Sequence, residues 1–195
     1  MRQNRVDPTG ALHAVPQRGG WMGNKGCLHD AAGVIRRAHV GRRWICCVLD
    51  FAGRRRALMQ PGRYTELFFL DEATAAAAGH RPCAECRRAD WLAFRTLWSA
   101  EYGEGGADAI DARLHENRLA GRARRLVPVD AGAVPCGAMV LDGGPVLRTA
   151  SGWWRWSFQG YAQAVAPKGP VALLTPEPLG RLMARGWAVQ DLAPK

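Results

Sequence analysis

The sequence predicts an α+β chain: a small antiparallel sheet with short helices, followed by a second small β-rich segment and a C-terminal helix. Two observations predict it. Runs rich in β-branched and aromatic residues, at 43–51, 64–70 and 153–158, lie between turn-forming residues, as strands do. Between and after them, apolar residues recur at helical spacing in stretches that stop on glycine. A chain of 195 residues is long enough to bury a core without disulfide staples. Its longest apolar runs, such as Trp44 to Leu49 and Leu67 to Leu70, fall far short of the roughly 20 residues that span a bilayer.

Taken in order, residues 1 to 26 are polar, rich in Gly and Pro and without periodicity, which predicts an extended arm reaching Trp21-Met22-Gly23-Asn24. Arg43 to Phe51, then Ala52-Gly53, then Arg54 to Met59 predict a hairpin, and Tyr64 to Leu70 a third strand. Asp71 offers an N-cap to a short helix over Glu72 to Ala78, with Gly79 where a C′ glycine belongs. Asp90 offers a second cap, to a helix carrying Trp91, Phe94, Leu97 and Trp98 and ending at Gly103. A third helix runs over 107–120 with Ile110 and Leu114 inside and Gly121 as its stop. From there the pattern changes to short strands, 137–141 and 145–149, joined by Asp142-Gly143-Gly144, and then 153–158. Thr175 as N-cap and Pro176 at the first helical position open a last helix through Leu179, Leu182 and Met183 to Gly186. A boundary within Gly121 to Val134 divides the chain into 1–120 and 121–195, as two units or as parts of one.

The formal charge is +10, and of 27 basic residues all but Lys25, Lys168 and Lys195 are arginine. Arginine forks phosphate and stacks on bases, so the excess points to a polyanion. An Arg-rich chain with almost no Lys is also what a GC-rich genome produces, and charge alone leaves both readings standing. The six cysteines, Cys27, Cys46, Cys47, Cys83, Cys86 and Cys136, are too few for a stapled secreted module, and Met1 to Gly20 carry no apolar stretch of the secretory kind. A reduced cytoplasm is the expected location.

Cys83-Ala-Glu-Cys86 is a Cys-x-x-Cys, a spacing that lets two thiolates grip one ion while nearby amides support the sulfurs. A thioredoxin-type redox pair shares the spacing, but opens a helix after a strand; here the motif follows a predicted helix and a Gly-His-Arg-Pro turn, which favours zinc. Phe68-Phe69-Leu70-Asp71-Glu72-Ala73, Ala75 to Gly79 and His80-Arg81-Pro82-Cys83-Ala84-Glu85-Cys86-Arg87 together resemble the C-terminal half of the Ada metal-binding domain, over about residues 67–87. The resemblance implies that Cys83 and Cys86 match two of that family's four zinc-binding cysteines, and that Arg81 matches its arginine before the proline. It also implies DNA as partner and a link to DNA repair. The family's upstream Cys-x-x-x-Cys, one of whose cysteines accepts a methyl group from a DNA phosphotriester, is replaced here by adjacent Cys46-Cys47. Adjacent strand residues point to opposite faces, so one of the pair meets the ion, with Cys47 preferred, and the other enters the core. Cys27, His29 or Cys46 is then the fourth ligand of a closed, structural site without methyl transfer. His80 is expected to pack, and Cys136 to be a buried small hydrophobe.

Asp111 and His115 stand at i, i+4 on the third predicted helix with Glu116 and Arg118 beside them. A carboxylate orienting an imidazole makes a general base; ordinary polar residues on a solvated face explain the set equally simply. Trp153-Trp154-Arg155-Trp156-Ser157-Phe158 interleaves aromatics with a basic residue as base-stacking platforms do, and as a strand packed on both faces also does. Arg54, Arg55, Arg56, Arg122, Arg124 and Arg125, with Arg81, are candidate phosphate contacts. The reading is a zinc protein that binds nucleic acid, DNA first. The alternatives are a zinc-scaffolded hydrolase or nuclease using His115 with Asp111 and Glu116, and a zinc-built protein-interaction module; enzyme and binding protein both stand at this point.

Overall fold

Strands gathered from distant parts of the first half build one sheet, and the structure, a computed structural model, describes residues 1–54, 57–103 and 105–194. In chain order come β1 (Arg5–Val6), β2 (Leu12–His13), β3 (Trp21–Asn24), β4 (Ile45–Cys47), β5 (Leu67–Phe69), α1 (Glu72–Ala77) and β6 (Arg81–Pro82). The sheet order is β2-β1-β5-β3-β4-β6. The central strands β5, β3 and β4 are antiparallel, but β1 runs parallel to β5 and β6 parallel to β4, so the sheet is mixed rather than purely antiparallel.

Two expectations for this half are corrected. The first 26 residues are no arm: they supply β1, β2 and β3. Glycine permits the weave, since a Cβ on Gly19 would stand 2.3 Å from the carbonyl oxygen of Phe69, and one on Gly23 2.3 Å from that of Ile45. Among the described residues the hairpin across Ala52-Gly53 does not form, and Arg55 and Arg56 of its expected second strand lie outside them. Both edges of β4 are taken, by β3 and β6, so the described residues beyond Cys47 leave the sheet as a loop in which Ala52 and Met59 adopt positive φ, 53° and 57°.

The second half of the chain follows as α2 (Arg88–Tyr102), α3 (Ala107–Arg118), a small hairpin of β7 (Leu119–Ala120) and β8 (Ala123–Arg124), then β9 (Val127–Asp130), β10 (Met139–Leu141), β11 (Pro145–Thr149), β12 (Gly152–Ser157), β13 (Gly160–Ala164), β14 (Pro170–Leu173) and α4 (Glu177–Ala184). The second sheet, β13-β12-β11-β10-β14-β9, is antiparallel throughout. The turn at Asp142 to Gly144 forms as predicted. Helix ends differ in detail. α2 starts ahead of Asp90, whose carboxylate instead accepts from Arg87 Nε at 2.7 Å. Gly121, at φ +63°, turns the β7–β8 hairpin instead of stopping α3. Pro176 takes the cap of α4, leaving the Thr175 hydroxyl to accept from the Met139 amide at 2.9 Å.

α1 lies between the two sheets. Asp71 caps it by accepting from the Thr74 amide at 2.8 Å, and Gly79 at φ +88° ends it. Ala75 and Ala78 pack with Leu67 and Phe69 of the first sheet, while Ala73 and Ala77 pack with Met139, Leu147 and Trp156 of the second. A helix covered from two sides needs small side chains all round, and the alanine run provides them. The main core joins Trp91, Phe94 and Trp98 of α2 and Ile110 and Leu114 of α3 to Val140, Leu173 and Leu179, so residues on both sides of 121–134 share it. No helix among the described residues is long and apolar enough to cross a membrane.

Candidate metal centre

Directly paired strand residues point to the same face of a sheet, and neighbours along a strand to opposite faces. Pairing of Met22 with Cys47 and Phe68, and of Asn24 with Ile45, therefore gathers Met22, Asn24, Ile45, Cys47 and Phe68 on one face of the first sheet. The opposite face carries Cys46, Leu67 and Phe69, buried with α1. The adjacent cysteines are divided by this alternation: Cys46 lies in the core, and Cys47 meets Cys83 and Cys86.

The turn holding Cys83 and Cys86 is hung on β4. The Cys83 amide donates to the Cys46 carbonyl at 2.9 Å, continuing the β4–β6 pairing, and the Arg87 amide donates to the Cys83 carbonyl at 3.2 Å as α2 begins. Within the turn the amides of Glu85 and Cys86 aim at the Cys83 sulfur, and the Val48 amide aims at that of Cys86. Amides directed at sulfur stabilise thiolate over thiol and fix its position. The three Sγ atoms lie within 4.8 Å of one another.

Protons divide unevenly among them. The Cys83 thiol is drawn below its usual range, first because it accepts from the Cys47 S–H, and the amides of the turn add to this against burial. Cys47 is pushed up by donating that hydrogen bond and by burial, and Cys86 is pushed up chiefly by burial. Cys46 is pushed up by burial and behaves as a core thiol. Three convergent sulfurs with amides already turned toward negative charge are a donor set that a soft cation completes. Zn–S bonds of about 2.3 Å in a tetrahedron imply sulfurs about 3.8 Å apart, inside the span found here. The donor set fits zinc.

A cavity of about 520 Å³ borders all three cysteines. Its walls are the open sheet face, with Met22, Asn24, Ile45 and Phe68, and the loop after β4, with Phe51 and Leu58. Glu66 also lines it, its carboxylate accepting from the Met59 amide at 2.7 Å. At the rim Arg54 Nη1 pairs with Glu85 Oε1 at 2.8 Å, and its guanidinium lies over Phe51, 4.9 Å from the ring centre.

The other sulfur and imidazole candidates are occupied elsewhere. His29 is bonded through Nδ1 to Thr65 Oγ1 at 2.6 Å and through Nε2 to the Gln60 carbonyl at 3.2 Å, and Cys27 donates to the His29 carbonyl at 3.6 Å. Among the described residues no histidine, carboxylate or further cysteine joins the group of three. His80 is buried between Phe69, ring centres 4.7 Å apart, and Trp44, at 5.5 Å, and burial drives its imidazole well below the ordinary range. Cys136 is exposed, not buried: it stands in the Pro135-Cys136-Gly137 turn ahead of β10. The motif does stand between a strand, β6, and a helix, α2, which is the setting of redox pairs. What separates it from them is the third cysteine.

The expected dyad does not assemble. Asp111 is buried and takes Arg81 bidentately, Nε to Oδ1 at 2.9 Å and Nη2 to Oδ2 at 2.7 Å, so it orients no imidazole and Arg81 faces no solvent. His115 packs edge-on to His39, ring centres 5.1 Å apart, and Glu116 is exposed. Arg118 is enclosed, donating to the carbonyls of Gly79 at 2.7 Å and Arg42 at 2.8 Å. Arg124 is likewise drawn inward, onto the carbonyls of Ala77 and Leu174. Arg122 and Arg125 are exposed, Arg54 is in the rim pair, and Arg55 and Arg56 lie outside the described residues. Trp153 and Trp156 are buried in two different clusters, so β12 packs on both faces. Met22 and Asn24 are not legible in the sequence as neighbours of Cys47, since only a strand assignment at 21–24 exposes the alternation that puts them on its face.

Compared with models of known families, with curated proteins and with solved structures, the chain matches none.

Proposed function

We propose that the chain is a zinc protein in which Cys47, Cys83 and Cys86 hold the ion at the floor of the cavity, and that it binds nucleic acid, DNA in the first place. The carrying observation is the convergence of three cysteines from two distant segments, with sulfurs within 4.8 Å and backbone amides aimed at them. The likeness of residues 67–87 to the Ada metal-binding domain supports zinc at this position; a connection to DNA repair rests on that likeness alone. Three protein ligands beside a cavity are the makeup of sites that keep a position for an exchangeable ligand, where zinc supplies a Lewis acid. The nucleic-acid part is supported by the net charge of +10 and by the exposed guanidinium groups of Arg122 and Arg125.

The test is metal content after purification without chelator. Wild type and the Cys27→Ser and Cys46→Ser variants carry about one zinc per chain, and Cys47→Ser, Cys83→Ser and Cys86→Ser lose it. Wild type free of stoichiometric metal, or zinc lost equally on changing Cys27, sinks the assignment.

A further inference from the structure

The cavity over the cysteines has a composition that selects a ligand class. At about 520 Å³ it falls within the roughly 300–1,000 Å³ of small-molecule sites. Much of its wall is aliphatic or aromatic, from Met22, Ile45, Phe68, Phe51 and Leu58, and Asn24, Tyr64 and Glu66 bring polar atoms to it, with Arg54 and Glu85 at the rim. Asn24 stands on β3 and offers a donor and an acceptor from one rigid amide. The Glu66 residue is 2% exposed, and the Met59 amide holds its carboxylate in place. Each class of ligand meets this lining differently. An aliphatic molecule would strip water from Asn24 without replacing its hydrogen bonds. A bare sugar would lie against hydrocarbon. A neutral, flat heteroaromatic ring has apolar faces for Phe51 and Phe68 and an edge of donors and acceptors for Asn24. Its ring nitrogens are also among the donors zinc accepts, so floor and walls select the same chemistry.

We infer that this cavity takes a nucleobase, either of a free nucleotide or of a nucleotide turned out of a single strand, with the attached phosphate at Arg54. The inference builds on the proposed zinc and nucleic-acid reading. The rim fits it: Arg54 is 59% exposed in its side chain and lies at the mouth, held against Phe51 and paired with Glu85, a surface pair that a phosphate displaces at little cost. Turning a base out costs least where the strand is already single, so single-stranded DNA is the polymer to test.

The full-length, zinc-loaded protein is titrated with adenosine and cytidine 5′-monophosphates, with a short single-stranded DNA, and with an abasic strand of the same length and phosphate count. Binding is followed by calorimetry, with zinc content measured on every sample. The base-bearing strand binds about tenfold or more tighter than the abasic one, in the range of one stacked base. Phe51→Leu, which keeps the apolar volume but removes the ring, and Asn24→Ala bring that ratio toward one while zinc stays bound. Monophosphate binding that responds to the same two substitutions supports the inference with a free nucleotide as the source; preference confined to the strand supports it with nucleic acid as the source. Equal affinity for both strands without monophosphate binding overturns it, and leaves the zinc centre and salt-dependent DNA retention standing. A base preference untouched by Phe51→Leu and Asn24→Ala also overturns it, since the bases would then be bound elsewhere.

Discussion

Cys46 and Cys47 are chemically identical neighbours with opposite fates, and the difference is one step of strand alternation. Cys47→Ser is expected to remove a ligand of the proposed zinc ion, whereas Cys46→Ser is expected to leave the ion in place and to cost about 1–3 kcal/mol by burying a hydroxyl where a thiol packs in the core, read from denaturant unfolding at constant zinc. Lys25 gives a second residue-scale expectation. It is buried over Trp44, 4.8 Å from the ring centre, and burial, helped by the charges of Arg124 and Arg118, pushes its ammonium down to about 8. Its folded value lies below its unfolded one, so between about pH 8 and the ordinary lysine range near 10.5 the unfolded chain binds more protons and stability rises with pH. Lys25→Met flattens this rise when midpoints are compared at the two ends of that window; an equal rise in both proteins assigns it to other groups. Much at this scale was legible in sequence. The Asp71 cap and the Gly79 stop follow from local chemistry, and both are found. Asp111 was not, because its partner Arg81 lies thirty residues away across the fold, and no spacing rule reaches that far.

At the scale of elements, α1 and the Arg81–Asp111 link are both deeply buried. Ala75 is fully buried, so Ala75→Leu forces methyl groups between the helix and Phe69 and is expected to cost about 1–3 kcal/mol in chemical denaturation. Arg81 on β6 and Asp111 on α3 are 2% and 4% exposed in their side chains, and Asp111→Ala, which strands a buried guanidinium, is expected to cost about 3–5 kcal/mol. A loss under about 1 kcal/mol would mean that water reaches the pair. Helices were legible because periodicity is local, although the caps expected at Asp90 and Thr175 stand at Arg87 and Pro176 instead. Strands were less so: β1, β2 and β6 have two residues each, too short for any alternation to register, and β14 begins with Pro170, which reads as a breaker but is accommodated at a strand's first residue. Among the described residues the hairpin expected at 43–59 does not form, for a reason visible only in three dimensions, the prior claim of β3 and β6 on both edges of β4.

Across the whole molecule, the number of arginines overstates the guanidinium groups that reach the surface, although the buried carboxylates Glu66, Asp71, Glu72 and Asp111 keep the net charge of the surface close to that of the chain. Arg81, Arg87, Arg118 and Arg124 are spent on carboxylates and carbonyls inside the fold, Arg87 through its contact of 2.6 Å with Glu72. Composition counts guanidinium groups and cannot tell these from Arg122 and Arg125. Replacing Arg122 and Arg125 with Ala should weaken DNA retention and lower the slope of log affinity against log salt by roughly 0.7–0.9 for each phosphate that is no longer neutralised. Arg124→Ala should destabilise the fold, by stranding the carbonyls of Ala77 and Leu174, without changing that slope. An unchanged slope on removing the exposed pair would favour the compositional origin of the charge. Cys83 and Cys86 were legible because their spacing is local; the cavity was not, since its walls come from strands and loops that adjoin only once the first sheet is built. The proposed ion has three sulfur ligands and a fourth side open to that cavity. X-ray absorption at the zinc edge of the wild-type protein tests this directly: three sulfurs at about 2.3 Å with one lighter atom at about 2.0–2.1 Å is the predicted shell, and four sulfurs would contradict it.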